Sequence, residues 1–376
     1  MSAHAILSAS GAKRWLTCPP SARLEEQYED QPSEYAEEGT AAHALAEAHL
    51  GLSKKALAKA RKSEYYDQSM EDYVARYVDI VLERYAEAQA RSKDAVLLLE
   101  QRLDFSEWVP EGFGTGDVVI IADGVLEVID LKYGKGVQVD AEDNPQLRLY
   151  GLGAWQAWEL MYDIRSVRMT IVQPRLDHVS TSEMITEDLL EWAEGYVKPR
   201  AALAWEGNGE YQAGDHCRFC KAKATCRTRA EANLALAAYD FRQGPELDQS
   251  EIADILGRID DLVSWASDVK TYALEQAEKH GVKWPGWKLV AGRSIRKYVD
   301  PDQVAAALVA AGYDEALIYE RSLLGITAME KTVGKKAFAE ILGDLVVKPE
   351  GKPTLAPEND KRPELNTAAQ AAEDFK

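Results

Sequence analysis

The chain has 376 residues, 46% of them hydrophobic, with 44 basic against 63 acidic side chains and a formal charge of −19. Such a length supports two or three domains with a sizeable core. No apolar run approaches the roughly 20 residues that span a bilayer, and the N-terminus lacks a basic region followed by a long apolar segment, so a cytoplasmic protein with no membrane partner is expected.

Residues 8–28 read as helical and hold Cys18 just ahead of Pro19-Pro20, and residues 29–38 read as an acidic loop. Thr40 is a good N-cap for a helix over 41–50, on which His43 and Glu47 share a face. In residues 71–92, Val74, Tyr77, Val78, Val81, Leu82 and Tyr85 follow the helical period, so that stripe faces a core. A strand over residues 95–99 ends at Glu100, read as a surface acid at the strand edge, with a further acid near a metal as the alternative.

Residues 114–134 read as a β-hairpin: two runs rich in Val, Ile and Leu flank Asp123-Gly124, a strong two-residue turn signal. Each run carries a carboxylate that a buried strand does not favour, Asp117 in the first and Asp130 in the second. Side chains alternate along a strand, so Asp130 and Lys132 point to one side, and antiparallel pairing returns Asp117 alongside Asp130. Two carboxylates and an ammonium at one sheet edge suit Mg²⁺, which takes oxygen ligands and is commonly held by one or two carboxylates plus substrate phosphate. Such an ion activates a water and offsets charge at the phosphorus under attack.

Downstream, residues 137–139 read as a short strand, and Asn144 with Pro145 opens a helix on which Gln146 and Tyr150 face the same way. Trp155, Trp158 and Leu160 are core candidates, residues 167–172 a further strand, and residues 186–205 another helix. This order predicts an α/β fold, a mixed central sheet flanked by helices, with a mainly helical C-terminal extension.

Four motifs then stand in one order: Gly39-Thr40 with His43, Gly116-Asp117, Asp130-Leu131-Lys132, and Gln146 with Tyr150. In this the chain resembles the PD-(D/E)XK nucleases of the RecB-like type, whose ordered pattern is G-T-x-x-H, G-D, (D/E)-x-K and Q-x-x-x-Y. The resemblance implies a restriction-endonuclease-like core over residues 1–235 that hydrolyses phosphodiester bonds. It implies Mg²⁺ or Mn²⁺ at His43, Asp117, Asp130 and the Leu131 backbone carbonyl. Lys132 would be catalytic with the two acids, while Gln146 and Tyr150 hold the substrate or the lysine. DNA is the implied partner, and an exonuclease of phage or bacterial recombination the implied role. A DNA-end-binding or recruitment module that does not cut is the alternative. No G-x-x-x-x-G-K-[ST] phosphate loop is present, so a motor is not expected in this chain.

The cysteines are Cys18, Cys217, Cys220 and Cys226. In a cytosolic chain this spacing reads as metal ligation rather than disulfides, and either four-thiolate zinc or a [4Fe–4S] cluster is chemically possible. One cysteine before the core and three after it resembles the iron–sulfur staple of RecB-like AddB and CRISPR-adaptation nucleases, which implies the cluster here. Structural Zn²⁺ with His216 is the alternative.

An acidic chain that binds nucleic acid needs local basic clusters. Arg218, Lys221 and Lys223, with Arg227 and Arg229, form one, and Arg293, Arg296 and Lys297, with Lys288, form the other. The second follows Trp284 and Trp287, where a packed tryptophan pair with solvated arginines is expected, a short sheet with an aromatic, basic surface being the alternative. Residues 236–345 read as a mainly helical region, with small helices over 301–312 and 326–344, and residues 346–376 as a flexible polar tail. A similar C-terminal arrangement accompanies single-strand annealing proteins in phage nuclease-like chains, which makes such a protein, or a single-strand-binding protein, a candidate partner.

Overall fold

The apolar runs around Asp123-Gly124 form the expected hairpin. Ala122 pairs with Val125 across the turn, and the strands run antiparallel from there. Gly124 takes φ +86°, a left-handed angle that a residue without a Cβ adopts readily. The computed structural model describes residues 5–29, 34–236, 247–290, 300–314, 318–319, 326–342 and 345–346.

Among the described residues, five helices precede the sheet: α1 (Ala12–Thr17), α2 (Ser21–Glu25), α3 (Glu34–Leu50), α4 (Lys54–Ala60) and α5 (Gln68–Arg91). β1 (Val96–Asp104), β2 (Phe113–Ala122) and β3 (Gly124–Leu131) then form an antiparallel meander. α6 (Pro145–Trp158) carries the chain across to β4 (Ile164–Gln173), parallel to β3, and β5 (His178–Ile185) closes the sheet antiparallel to β4. The spatial order is β1-β2-β3-β4-β5. α7 (Thr186–Trp192) continues through a π turn over 193–197 into α8 (Lys198–Glu206), followed by α9 (Arg227–Leu234) and α10 (Gln249–His280).

Helices cover both faces of the sheet, which is why β2 and β3 are apolar without alternation. On one face Val119, Ile121, Leu126 and Val128 pack with Leu147, Leu149, Leu152 and Leu189 of α6 and α7. On the other, Val118, Ile120, Ile129 and Leu131 pack with Leu45, Met70, Val74 and Val81 of α3 and α5. Most of the stripe predicted for residues 71–92 thus faces the core, on the same side of the sheet as the helix bearing His43, but Leu82 is exposed; Leu160, expected in the core, lies beyond the end of α6 and is exposed as well.

The chain divides into two compact units, Met1–His280 and Gly281–Lys376. The long helix α10 belongs to the first and is fastened by a buried charge network. Arg229 on α9, 1% exposed, donates to Asp268 Oδ2 at 2.6 Å and to Asp261 Oδ1 at 3.3 Å. Removing one side of such a pair strands the other charge, so Arg229→Ala is expected to cost about 3 kcal/mol, read as a lower urea midpoint or early release of α10 in hydrogen exchange. Equal midpoints and equal exchange would contradict this. In the second unit, helices span Pro301–Ala310, Ile326–Val333 and Lys335–Leu342.

Several local expectations need correction. The helix bearing His43 begins at Glu34, so Thr40 lies inside it and its Oγ1 donates to the Ala36 carbonyl at 2.9 Å instead of capping an end. Glu34 and Glu37 in the first turn favour helix there through the dipole. Residues 8–28 form two short helices rather than one, interrupted at Cys18-Pro19-Pro20. Residues 137–139 form no strand: the Gln173 side chain accepts from Val139 N–H at 2.7 Å and donates to the Val137 carbonyl at 3.0 Å, replacing a ladder. The helix expected over 326–344 is interrupted at Gly334, and residues 284–290 hold no strand. No helix of the described residues is long and apolar enough to cross a membrane.

Candidate metal centre and cysteine cleft

The β2–β3 register places Asp117 and Asp130 side by side, one step past the Val118–Ile129 pair. Asp117 Oδ2 accepts the Leu131 N–H at 2.7 Å, which ties the two strands at this end. Its other oxygen lies 3.1 Å from Nδ1 of His43, on α3. On the far side, Lys132 Nζ stands 2.9 Å from Asp130 Oδ2 and donates to Gln146 Oε1 at 3.1 Å. Gln146 Nε2 donates to Asp130 Oδ1 at 3.1 Å and to Tyr150 Oη at 3.3 Å. The amide therefore presents oxygen to the ammonium and nitrogen to the carboxylate, as its donors and acceptors require. Asn144 caps α6 by accepting from the N–H groups of Gln146 and Leu147, which fixes the turn carrying Gln146. β2 passes hard against this helix: a Cβ on Gly114 would sit 2.6 Å from Tyr150 Cε1.

The sequence reading underweighted Glu100. It lies within β1 with φ +46°, a left-handed angle that costs a side-chain-bearing residue about 1–2 kcal/mol. Leu99 pairs with Val118 and Gln101 with Gly116, so Glu100 stands opposite Asp117. His43, Glu100 and Asp117 each offer one ligand atom, all within 4.8 Å of one another. Glu100 is exposed, as a strand-edge acid is expected to be, and it also lies beside His43 and Asp117; that place follows from the β1–β2 register, which sequence alone leaves open.

Charge accumulates here. Burial, reinforced by Asp117, pushes Glu100 up to about 7. Burial also raises Asp130, against the pull of Lys132. For Lys132, burial opposes the charge, but Asp130 overcomes it and holds the ammonium above its ordinary value. His43 is likewise raised, the hydrogen bond and charge of Asp117 outweighing burial. The narrow cleft beside these groups is lined by His43, Glu47, Tyr77, Glu100, Asp117 and Leu131. One imidazole nitrogen and several carboxylate oxygens fit a hard divalent cation. An octahedral ion with bonds of about 2.1 Å holds adjacent ligands roughly 3.0 Å apart. His43 Nδ1 and Asp117 Oδ1 match that spacing at 3.1 Å.

The four cysteines are free thiols and line a second cleft with Tyr211 and His216. Cys18 sits between α1 and α2, Cys217 and Cys220 lie in and just after a 3₁₀ turn over Asp215–Phe219, and Cys226 directly precedes α9. Polar contacts join the two segments: Arg14 Nε pairs with Glu25 at 2.7 Å, and Glu25 Oε1 accepts the Lys221 N–H at 2.8 Å. Burial raises the thiols of Cys18 and Cys217 and pushes Cys220 up to about 12, so each needs a bound cation to ionise near neutral pH. His216 Nε2 donates to the Gln212 carbonyl at 2.9 Å, which turns that nitrogen away from ligation. Tetrahedral Zn–S bonds of ~2.3 Å would bring sulfurs to about 3.8 Å from each other. Among the described residues, only the His43 group brings three ligand atoms within 4.8 Å of one another.

Of the basic residues, Arg218 and Lys221 are exposed, while Lys223 Nζ pairs with Asp268 at 2.9 Å. Arg293, Arg296 and Lys297 lie outside the described residues, as does the tail from 347 onward.

The chain belongs to the family described as protein of unknown function DUF2800, whose profile matches residues 4–363. It is similar to a solved structure of a proposed exonuclease from Eubacterium rectale, with 13% identity, 59% of this chain and 88% of that chain covered, and a TM-score of 0.36. It is also similar to the solved structure of SSO0001, with 12% identity, 58% of this chain and 84% of that chain covered, and a TM-score of 0.26.

Proposed function

We propose that the protein is a nuclease that uses Mg²⁺ or Mn²⁺ to hydrolyse phosphodiester bonds of DNA. The observation that carries this reading is the network His43–Asp117–Leu131 and Asp130–Lys132–Gln146–Tyr150, which gathers two carboxylates, an imidazole and an ammonium around the interior strands β2 and β3 rather than at a sheet edge. A divalent cation held there supplies an activated water and offsets charge on the phosphate under attack. His43, Asp117, Asp130 and the Leu131 carbonyl are the groups to hold it. Gln146 holds the Asp130 carboxylate and the Lys132 ammonium in register, and Tyr150 braces Gln146. The ammonium, kept charged by Asp130, steadies negative charge on the scissile phosphate.

Cleavage from DNA ends in recombination is the finer assignment, drawn from the ordered motifs. Arg218, Lys221, Lys223, Arg293, Arg296 and Lys297 are proposed to contact DNA, and a single-strand annealing or binding protein is the proposed partner. The four cysteines are proposed to hold a [4Fe–4S] cluster, a reading supported by the four free thiols that line one cleft and by His216 Nε2, which is taken by the Gln212 carbonyl. The test is digestion of end-labelled linear and covalently closed circular duplex with MgCl₂ or MnCl₂. Loss of the linear substrate from its ends, with the circle spared, is expected. Nicking of the circle would replace exonuclease by endonuclease, and intact DNA in both would overturn the assignment.

A further inference from the structure

We infer that Glu100 is a side-chain ligand of the divalent cation in this site, completing a His43–Glu100–Asp117 triad. The inference rests on the proposed metal-dependent reading and adds a residue outside the four ordered motifs. Three features converge on Glu100. It stands opposite Asp117 across the β1–β2 ladder, and two like charges directly opposed destabilise a strand pair unless something sits between them. It holds a left-handed φ of +46°, and such departures persist where the surrounding structure has a use for them. Its carboxylate falls with His43 Nδ1 or Nε2 and an Asp117 oxygen inside 4.8 Å.

A fourth observation is independent of the acids. Tyr77, on α5, is 1% exposed, and its hydroxyl has no hydrogen-bond partner. It lines the same cleft as His43, Glu100 and Asp117. Buried hydroxyls are ordinarily satisfied, and an unsatisfied one beside three ligand groups marks a place for a polar occupant. The tyrosine belongs to the helical stripe of the core, yet it lines the cleft where His43, Glu100 and Asp117 meet. A hydrated divalent cation held by the triad gives the phenol an acceptor and cancels the repulsion between the two carboxylates.

The test is titration of the full-length chain with MnCl₂ without DNA, following free Mn²⁺ by its electron paramagnetic resonance signal, with thermal melts alongside. Glu100→Gln keeps the size of the side chain and removes its charge. It is expected to weaken Mn²⁺ binding by roughly tenfold or more and to abolish the rise in melting temperature that Mn²⁺ gives the unchanged protein. The metal-free variant should melt no lower than the unchanged protein, since the repulsion with Asp117 is gone. Asp117→Asn serves as the reference. Wild-type affinity in Glu100→Gln together with lost affinity in Asp117→Asn would overturn the role of Glu100 and leave the nuclease reading standing. A lower melting temperature with unchanged affinity would assign Glu100 a purely structural role and also overturn it. No Mn²⁺ binding by the unchanged protein would remove both.

Discussion

Asp117→Asn is expected to lower metal-dependent cleavage by about a thousandfold while leaving the fold intact. The asparagine carbonyl can still accept the Leu131 N–H that Asp117 Oδ2 now accepts at 2.7 Å, so the strand end stays tied. What disappears is the negative charge facing His43 and the cation position. Losing several kcal/mol of transition-state stabilisation corresponds to roughly 10³ in rate, at about 1.4 kcal/mol per factor of ten. Lys132→Ala should be comparably inactive but less stable, because it leaves the buried Asp130 without its ion pair at 2.9 Å. The two variants therefore separate: equal inactivity, unequal melting temperature. Cleavage near the wild-type rate in Asp117→Asn, measured by single-turnover assay, would contradict the assignment of the site.

Cys220→Ser carries the second large effect, on stability rather than chemistry. Cys18 and Cys217 lie almost 200 positions apart, and a metal group joining them constrains a very long loop of the unfolded chain. Burial holds Cys220 up at about 12, so near neutral pH it forms a thiolate only beside a bound cation. Anaerobically purified protein is expected to be brown, with the broad visible absorbance of sulfur-to-iron charge transfer in a cluster. Cys220→Ser should be colourless and melt lower by several degrees, with the segment around residues 212–226 exchanging first. A colourless wild-type protein with stoichiometric zinc would overturn the iron assignment while keeping the staple. Unchanged stability in the variant would remove the staple as well.

Much of this was legible from residue order. Asp123-Gly124 fixed the hairpin, the hairpin fixed the pairing of Asp117 with Asp130, and Asn144-Pro145 fixed the start of the helix that delivers Gln146. These are local signals whose geometry follows from turn and cap chemistry. What was not legible depends on contacts distant in sequence. Glu100 joins the site only through the register between β1 and β2, which no residue in β1 announces. β5 alternates exposed and half-buried residues without a matching polar–apolar pattern, and its role as the sheet's edge emerges only from pairing with β4. Residues 137–139 carry strand-like side chains, yet Gln173 takes their backbone bonds. The basic residues divide in the same way: Lys223 and Arg229 look like free cations in the sequence but are paired with Asp268 on a helix some 40 positions later.

The most direct test of the proposed chemistry is cleavage of end-labelled linear duplex by the purified full-length protein in MnCl₂, before and after excess EDTA, beside Asp117→Asn. Progressive loss of label that EDTA stops and the variant lacks is the predicted result. Cleavage that persists in EDTA or in the variant, or none by the unchanged protein with Mn²⁺ demonstrably bound, would contradict it.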